Sequence, residues 1–254
     1  MNSCTDKTLV ASGGQGQFSE DGFLIVSNVL SASECDVYAD ELTELLEKQQ
    51  DSRRRNMGGL RNVLHLSSRA LAFATSARVI TLISDLIGEA TFPVRAILFD
   101  KTDSANWGVP WHQDLAIAVA ERVETPGFGP WSVKDSVVHV QPPMEILSAM
   151  VTLRLHLDDC NSHNGALRVL PRSHLEGELS SEEVGRRTAS ESVTCEVAKG
   201  GALLMRPLLL HASYPAKNPS HRRVLHIEYA ATELPNGLEW SERNLKNPVR
   251  KEQL

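Results

Sequence analysis

Residues 201–230, GALLMRPLLLHASYPAKNPSHRRVLHIEYA, hold two apolar stretches of strand length, GALLMRPLLLHASY and RRVLHIEYA, parted by PAKNPSH. Proline, asparagine and serine cluster there as they do in turns. The same texture runs back to Gly88. VRAILFDK, VPWHQDLAI, AMVTLRLHL, GALRVLP and VTCEVAKG are short apolar or alternating runs between Gly, Pro, Asn and Ser. Many short strands with a turn signal at each junction read as a β-sandwich or barrel.

Upstream of Gly88 the periodicity changes. Residues 1–16 (MNSCTDKTLVASGGQG) are small and polar and read as a loose leader, so a single domain is expected over 17–254. Phe23 to Val26 form a short strand. Ser31 and Glu34 have the form of a capping box, and Val37, Leu42, Leu45 and Leu46 follow at helical spacing. A second helix is expected over about 69–87, with Leu71, Val79, Leu82, Ile83 and Leu86 on one face and Gly88 ending it. The helices should pack outside the β-structure. Residues 121–146 fit neither period and carry Pro126, Pro130, Pro142 and Pro143. An irregular insertion of that length inside a domain reads as an active-site lid.

Composition excludes several classes. The 254 residues are 41% hydrophobic and 23% charged, ordinary for a globular chain with a sizeable core. A formal charge of −6 argues against nucleic acid as a partner, and the lone basic run Arg53–Arg55 reads as a solvated helix end or loop. Cys4, Cys35, Cys160 and Cys195 make no Cys-x-x-Cys pair and read as thiols in a reducing compartment. No apolar run reaches membrane-spanning length. A cytoplasmic protein with a small-molecule substrate, no membrane and no nucleic acid is the expectation.

The chemistry is concentrated in His112-Gln113-Asp114. On a strand, residues i and i+2 point to one face, so an imidazole and a carboxylate converge there. His211, 97 residues after Asp114, supplies a second imidazole from another expected strand. Two histidines and one carboxylate on one face of a metal leave the opposite positions open. Eleven residues beyond His211 comes Arg222, whose planar guanidinium can fork onto a carboxylate. Ser213 shares the inward face of His211 and adds a hydroxyl. His139, inside the insertion, is a candidate substrate contact. His163, His174, His221, His226 and His65 read as structural or surface residues.

The blocks FSEDGFLIVSNVLSASE, WHQD, NGALRVLPRSH and HAS, with Arg222 following, resemble in order those of the phytanoyl-CoA dioxygenase family over nearly the whole chain. The resemblance implies a mainly β fold, a double-stranded β-helix (cupin-like jelly-roll) with flanking N-terminal α-helices. It implies Fe(II) held by His112, Asp114 and His211, with 2-oxoglutarate as co-substrate on Arg222 and Ser213. With O2 these would give succinate, CO2 and an oxidant that abstracts hydrogen from an unactivated C–H bond. Related halogenases have a small residue in the carboxylate position, so Asp114 favours hydroxylation or another oxidation.

Two departures bear on the pocket. Arg172 stands in LPRSH where the family commonly has glycine. Arg154 stands where members often have an aromatic residue, on a face it shares with His156. An inward Arg154 would bind an anionic substrate or the co-substrate carboxylate; the alternative is a buried ion pair with a carboxylate such as Asp158. Lys101, ending VRAILFDK, either reaches the co-substrate or lies on the surface. Competing with the oxygenase are a silent jelly-roll that binds a metal or small acid, and a Zn(II) or Mn(II) isomerase or hydrolase, for which Arg222 would have no use.

Overall fold

The computed structural model describes residues 13–50, 59–188 and 191–243. Cys4 and Arg53–Arg55 lie outside the described residues, as do residues 1–12 of the expected leader. The rest of that leader is ordered: helix α1 runs Gly14–Asp21.

Strands are numbered in chain order. The larger sheet joins β1 (Phe23–Val26), β11 (Ala202–Met205), β8 (Met150–His156), β13 (Arg222–Ala230), β3 (Phe92–Lys101) and β2 (Gly59–Arg61), in that spatial order. The smaller sheet joins β10 (Val193–Cys195), β9 (Leu167–Val169), β12 (His211–Ser213) and β4 (Val109–His112). All these pairings are antiparallel. The two sheets meet face to face through Phe23, Leu203 and Met205 on one side and Leu167, Val169 and Cys195 on the other. This is the expected jelly-roll.

Strand β13 shows how one segment serves two layers. Its register sets Val224 opposite His156, His226 opposite Arg154, and Arg222 opposite Lys101. With a period of two, Arg222, Val224, His226 and Glu228 face the smaller sheet, and Leu225, Ile227 and Tyr229 face away. The outward set packs with Leu153, Leu155 and Leu98 under helices α2 (Ala32–Gln50), α4 (Ser68–Ala74) and α5 (Ala77–Ile87). Leu42, Leu82 and Ile83 are fully or almost fully buried there. Each such side chain contributes about 1.5–3 kcal/mol, so the helical layer, remote from the metal-binding candidates, carries much of the fold's stability.

Several local expectations hold and some do not. The Ser31–Glu34 capping box is formed: Glu34 accepts from the Ser31 backbone N–H at 2.8 Å, and Ser31 Oγ accepts from the Glu34 N–H at 3.3 Å. Val37, however, points to solvent at 46% exposure, and Cys35 and Ala39 line that helix's buried face. The helix expected over 69–87 is two helices bent by 47° at Thr75-Ser76. Ser76 caps α5 through its side chain, a competition for backbone groups that favours helix starts over interiors. Gly88 ends α5 as expected.

The insertion over 121–146 is not irregular throughout. It contains β6 (Trp131–Lys134) and β7 (Val137–Val140), which pair with β5 (Ile117–Val119) in a three-stranded sheet, and the start of helix α6 (Met144–Ser148). The segment Val137–Val140 has too few residues for its alternation to stand out beside the flanking prolines. Arg172 adopts φ 70°, the left-handed region open to glycine, and pairs with Glu20. No single helix among the described residues is long and apolar enough to cross a membrane, although the bent pair α4–α5 passes that test together; most of its apolar side chains are buried in the core.

Candidate active site

The smaller sheet brings His211 of β12 directly opposite His112 of β4. The imidazole centroids lie 4.1 Å apart. Asp114 was expected on the same strand as His112, but β4 ends at His112. The carboxylate enters from just beyond the strand, where the Asp114 N–H donates to Pro207 O at 2.9 Å. Between them Gln113 turns away: its amide donates to Gly177 O and Leu208 O, both at 2.7 Å, and accepts from the Leu179 N–H. The middle residue of the tripeptide thus staples two loops to the strand end that carries the chemistry.

Both Nε2 atoms face Asp114, His112 to Oδ1 and His211 to Oδ2, each at 3.7 Å. Each ring's Nδ1 lies 2.9 Å from a backbone carbonyl two residues earlier, Pro110 O for His112 and Leu209 O for His211. A carbonyl can only accept, so Nδ1 carries the proton and the Nε2 lone pair is free. Burial pushes the His211 imidazolium down to about 4. Burial pushes the Asp114 carboxyl up, but His211, His226 and His112 together outweigh it and hold the group at about 2. Neutral imidazoles beside an ionised carboxylate are the donor state a divalent cation takes. One ligand atom from each residue falls within 4.8 Å of the others. The three residues fit a 2-His-1-carboxylate metal centre.

A cavity of about 220 Å³ opens beside the triad, lined by both sheets. Lys101, Ser213 and Arg222 stand together at one end. Lys101 is not on the surface: it is 1% exposed and donates to Ser213 Oγ at 3.1 Å and Tyr214 O at 2.8 Å. Burial, then the neighbouring Arg222, pushes its ammonium down to about 8. Arg222 is 3% exposed; its Nη1 donates to Gly165 O at 3.1 Å and lies 3.7 Å from Cys160 Sγ, and its Nε has no partner. Gly165 leaves the room that the buried Lys101 side chain takes up. It sits at φ 81°, and a Cβ there would lie 2.8 Å from Tyr214 O and 2.9 Å from Lys101 Nζ.

Arg154 faces the same cavity from β8, level with His226. The buried pair with Asp158 does not form, because Asp158 accepts both hydrogen bonds of a bidentate pair from Arg223, on the opposite face of β13. Among the described residues no carboxylate lies within ion-pair distance of Lys101, Arg154 or Arg222.

Other expectations are corrected by position. His139 is buried, with Nδ1 on Val137 O, and does not line the cavity; none of the lining residues comes from 121–146. His226, expected to be a structural or surface residue, lines the cavity and lies 3.3 Å from Glu228 Oε1. His221 likewise meets a carboxylate, Asp100, at 2.8 Å. Phe99 and Trp107 add apolar walls. The signal for His226 was available: it follows Arg222 by four residues, so any register that turns Arg222 inward turns His226 inward too.

A jelly-roll with two histidines and an aspartate at the mouth of a cation-lined cavity defines a non-haem iron oxygenase site of the 2-oxoglutarate-dependent class. The phytanoyl-CoA dioxygenase family profile matches residues 18–224, and the chain belongs to that family. It is an Fe(II)/2-oxoglutarate-dependent dioxygenase, with O2 as the second co-substrate. Among solved structures it is similar to AviO1 from Streptomyces viridochromogenes, at 22% identity over 91% of this chain and 99% of that one, TM-score 0.65. It is also similar to EctD from S. alaskensis with 2-oxoglutarate and 5-hydroxyectoine, at 18% identity over 89% and 78%, TM-score 0.67. A third is the epimerase SnoN in complex with Fe3+, alpha ketoglutarate and nogalamycin RO, at 17% identity over 93% and 92%, TM-score 0.65. No curated protein matches the sequence.

Proposed function

We propose that this oxygenase hydroxylates a small organic molecule, with iron on His112, Asp114 and His211 and 2-oxoglutarate anchored by Arg222, Ser213 and Lys101. The observation that carries the assignment is the pairing of two prepared ends in one cavity. At one end two Nε2 lone pairs meet an ionised carboxylate. At the other, a buried guanidinium and ammonium have only neutral partners. Ser213 is two residues from His211, so the ends are separated by roughly 6.6 Å of strand at 3.3 Å per residue. A five-carbon dicarboxylate suits that interval.

When bound, iron with 2-oxoglutarate and O2 supplies an oxidant strong enough for C–H bonds. The protein's residues hold and orient. Asp114 and the two imidazoles present fixed lone pairs, and the Pro110 and Leu209 carbonyls hold both rings in the binding tautomer. Arg222 offers its open Nε edge to the distal carboxylate, and Lys101 adds a second positive charge. Phe99, Trp107, Val109 and Leu167 keep the intervening walls apolar and exclude water. The cavity is below the roughly 300–1,000 Å³ of drug-sized sites, which suits a co-substrate and the reacting end of a small substrate. Residues 121–146 serve as a covering segment over that substrate, an assignment resting on their place between the triad's strand and β8. Buried thiols at Cys35, Cys160 and Cys195 support work in the cytoplasm.

The test is anaerobic reconstitution with Fe(II) and 2-oxoglutarate, then O2 and a metabolite panel read as succinate formed. Succinate above the no-enzyme background supports the reading. No turnover with any panel member, together with no binding of 2-oxoglutarate, would overturn it in favour of a silent metal-binding jelly-roll.

A further inference from the structure

The hydrogen-bond order around Arg154 has a fixed direction. Arg154 Nη1 lies 2.8 Å from His226 Nδ1, and a guanidinium can only donate, so Nδ1 accepts. The His226 proton then sits on Nε2, which donates to Glu228 Oε1 at 3.3 Å. Glu228 is already matched by Arg95, whose Nη1 lies 2.9 Å from the same oxygen. The chain therefore ends in a neutral imidazole under Arg154, and the guanidinium keeps its full charge. Arg154 is 7% exposed, and its Nε has no partner.

The balance of charge points the same way. A divalent metal and a dianionic co-substrate cancel, leaving Lys101, Arg154 and Arg222 against the single carboxylate Asp114 on the cavity wall. Two of these cations belong to one tier, because Lys101 is directly opposite Arg222. Arg154 is level with His226, four residues further along β13 and roughly 13 Å away at 3.3 Å per residue. The members of that second tier, Arg154 and His226, line the same cavity as His112, Asp114 and His211. One of its walls is aromatic: Phe99 packs edge-on against His226 with centroids 5.6 Å apart, and the Arg154 guanidinium lies 5.7 Å from the centre of the Phe99 ring.

We propose that Arg154 receives a carboxylate of the primary substrate, so that this enzyme oxidises a small organic acid with an apolar body. The free Nε edge of a guanidinium matches a carboxylate, and a single such edge beside an aromatic ring suits one charge rather than a polyphosphate. The proposal rests on the reading of Arg222 as the co-substrate anchor. It goes beyond that reading by separating Arg154 from the co-substrate.

The experiment is anaerobic calorimetry on the Fe(II)-loaded protein at saturating 2-oxoglutarate. Phenylacetate and hexanoate are each titrated against the matching primary amide. The wild type should bind the acids at least about tenfold more tightly than the amides, the scale of one buried charged hydrogen bond. Arg154→Gln keeps a donor for His226 and should erase the preference, weakening the acids about 30-fold. Arg154→Lys keeps the charge without the fork and should restore part of it. The 2-oxoglutarate and iron affinities should move less than about threefold in both variants. Equal affinity of acid and amide in the wild type, including no binding of either, overturns the proposal. So does a loss of 2-oxoglutarate or iron affinity of tenfold or more in both variants, which would make Arg154 part of the co-substrate pocket or a support for Asp114. Arg222→Ala, titrated with 2-oxoglutarate alone, tests the underlying reading separately.

Discussion

Arg222→Ala is the substitution whose outcome the structure constrains most. Arg222 lies on the cavity face of β13 with a carbonyl and a thiol as its side-chain partners, so the folded protein holds a buried cation prepared for an anion. Truncating one member of a desolvated charge pair costs about 2–5 kcal/mol, because the other charge is left unpaired. At about 1.4 kcal/mol per decade, 2-oxoglutarate should bind roughly 30- to 4000-fold more weakly. Arg222→Lys should recover only part of this, since an ammonium cannot reproduce the fork. Arg223 is the control. Its side chain points to the opposite face, where Asp158 accepts from Nε and Nη2 at 2.8 and 2.7 Å. Arg223→Ala should therefore leave the 2-oxoglutarate titration nearly untouched. It should instead cost stability, about 1.5–3 kcal/mol for a charged hydrogen-bonded pair, or roughly 3–12 °C in Tm. The assay is anaerobic titration of the metal-loaded variants alongside thermal unfolding. If the large loss of affinity followed Arg223→Ala instead, the strand register would be wrong. If it followed neither, the dicarboxylate assignment would fall.

Three further outcomes are expected. His112→Ala and Asp114→Ala should each abolish 2-oxoglutarate decarboxylation while Tm stays within a few degrees of the wild type; wild-type turnover in both without added metal would exclude the triad. Lys101, held near 8 in the free protein, loses its charge above that pH, so 2-oxoglutarate affinity should fall by up to tenfold per pH unit above about 8. Lys101→Met should lack this limb, and an identical pH profile in the variant would remove Lys101 from the co-substrate site. The same depressed value means that between about 8 and the unfolded value of 10.5 the unfolded chain binds more protons, so this residue makes the ligand-free protein more stable as pH rises. Residues 121–146 should gain protection from hydrogen exchange when a substrate identified by succinate release is added to the Fe(II)/2-oxoglutarate complex; protection only elsewhere would end their assignment as a cover.

Much of the site could be read from the chain because strand geometry is simple. Alternation alone turns His211 and Ser213 to one face of β12, and Arg222, Val224 and His226 to one face of β13. What alternation does not reveal is the partner across the sheet. Asp158 could be paired on paper with Arg154 or Arg223, and only the register of β13 against β8 decides between them. The same register hides the Arg154–His226–Glu228 chain, whose members come from two strands. Lys101 was ambiguous because its burial depends on the Tyr214 carbonyl and Ser213, more than a hundred residues away. The helical break at Thr75-Ser76 and the β6–β7 hairpin were missed because the local signals, one serine and one short alternation, were weaker than their surroundings.

The carbonyl-locked histidines bear on how the protein acquires its metal. Because Pro110 and Leu209 fix both rings in advance, little of the coordination sphere has to reorganise when an ion arrives. Such a site cannot sort ions by refusing to close. Nitrogen and oxygen donors bind Co(II), Ni(II), Cu(II) and Zn(II) more tightly than Fe(II) by the usual stability order. Identity is then a matter of supply: in a cell rich in labile ferrous iron and poor in free copper and zinc the protein fills with iron. After purification on a nickel resin it would hold nickel until a chelator strips it.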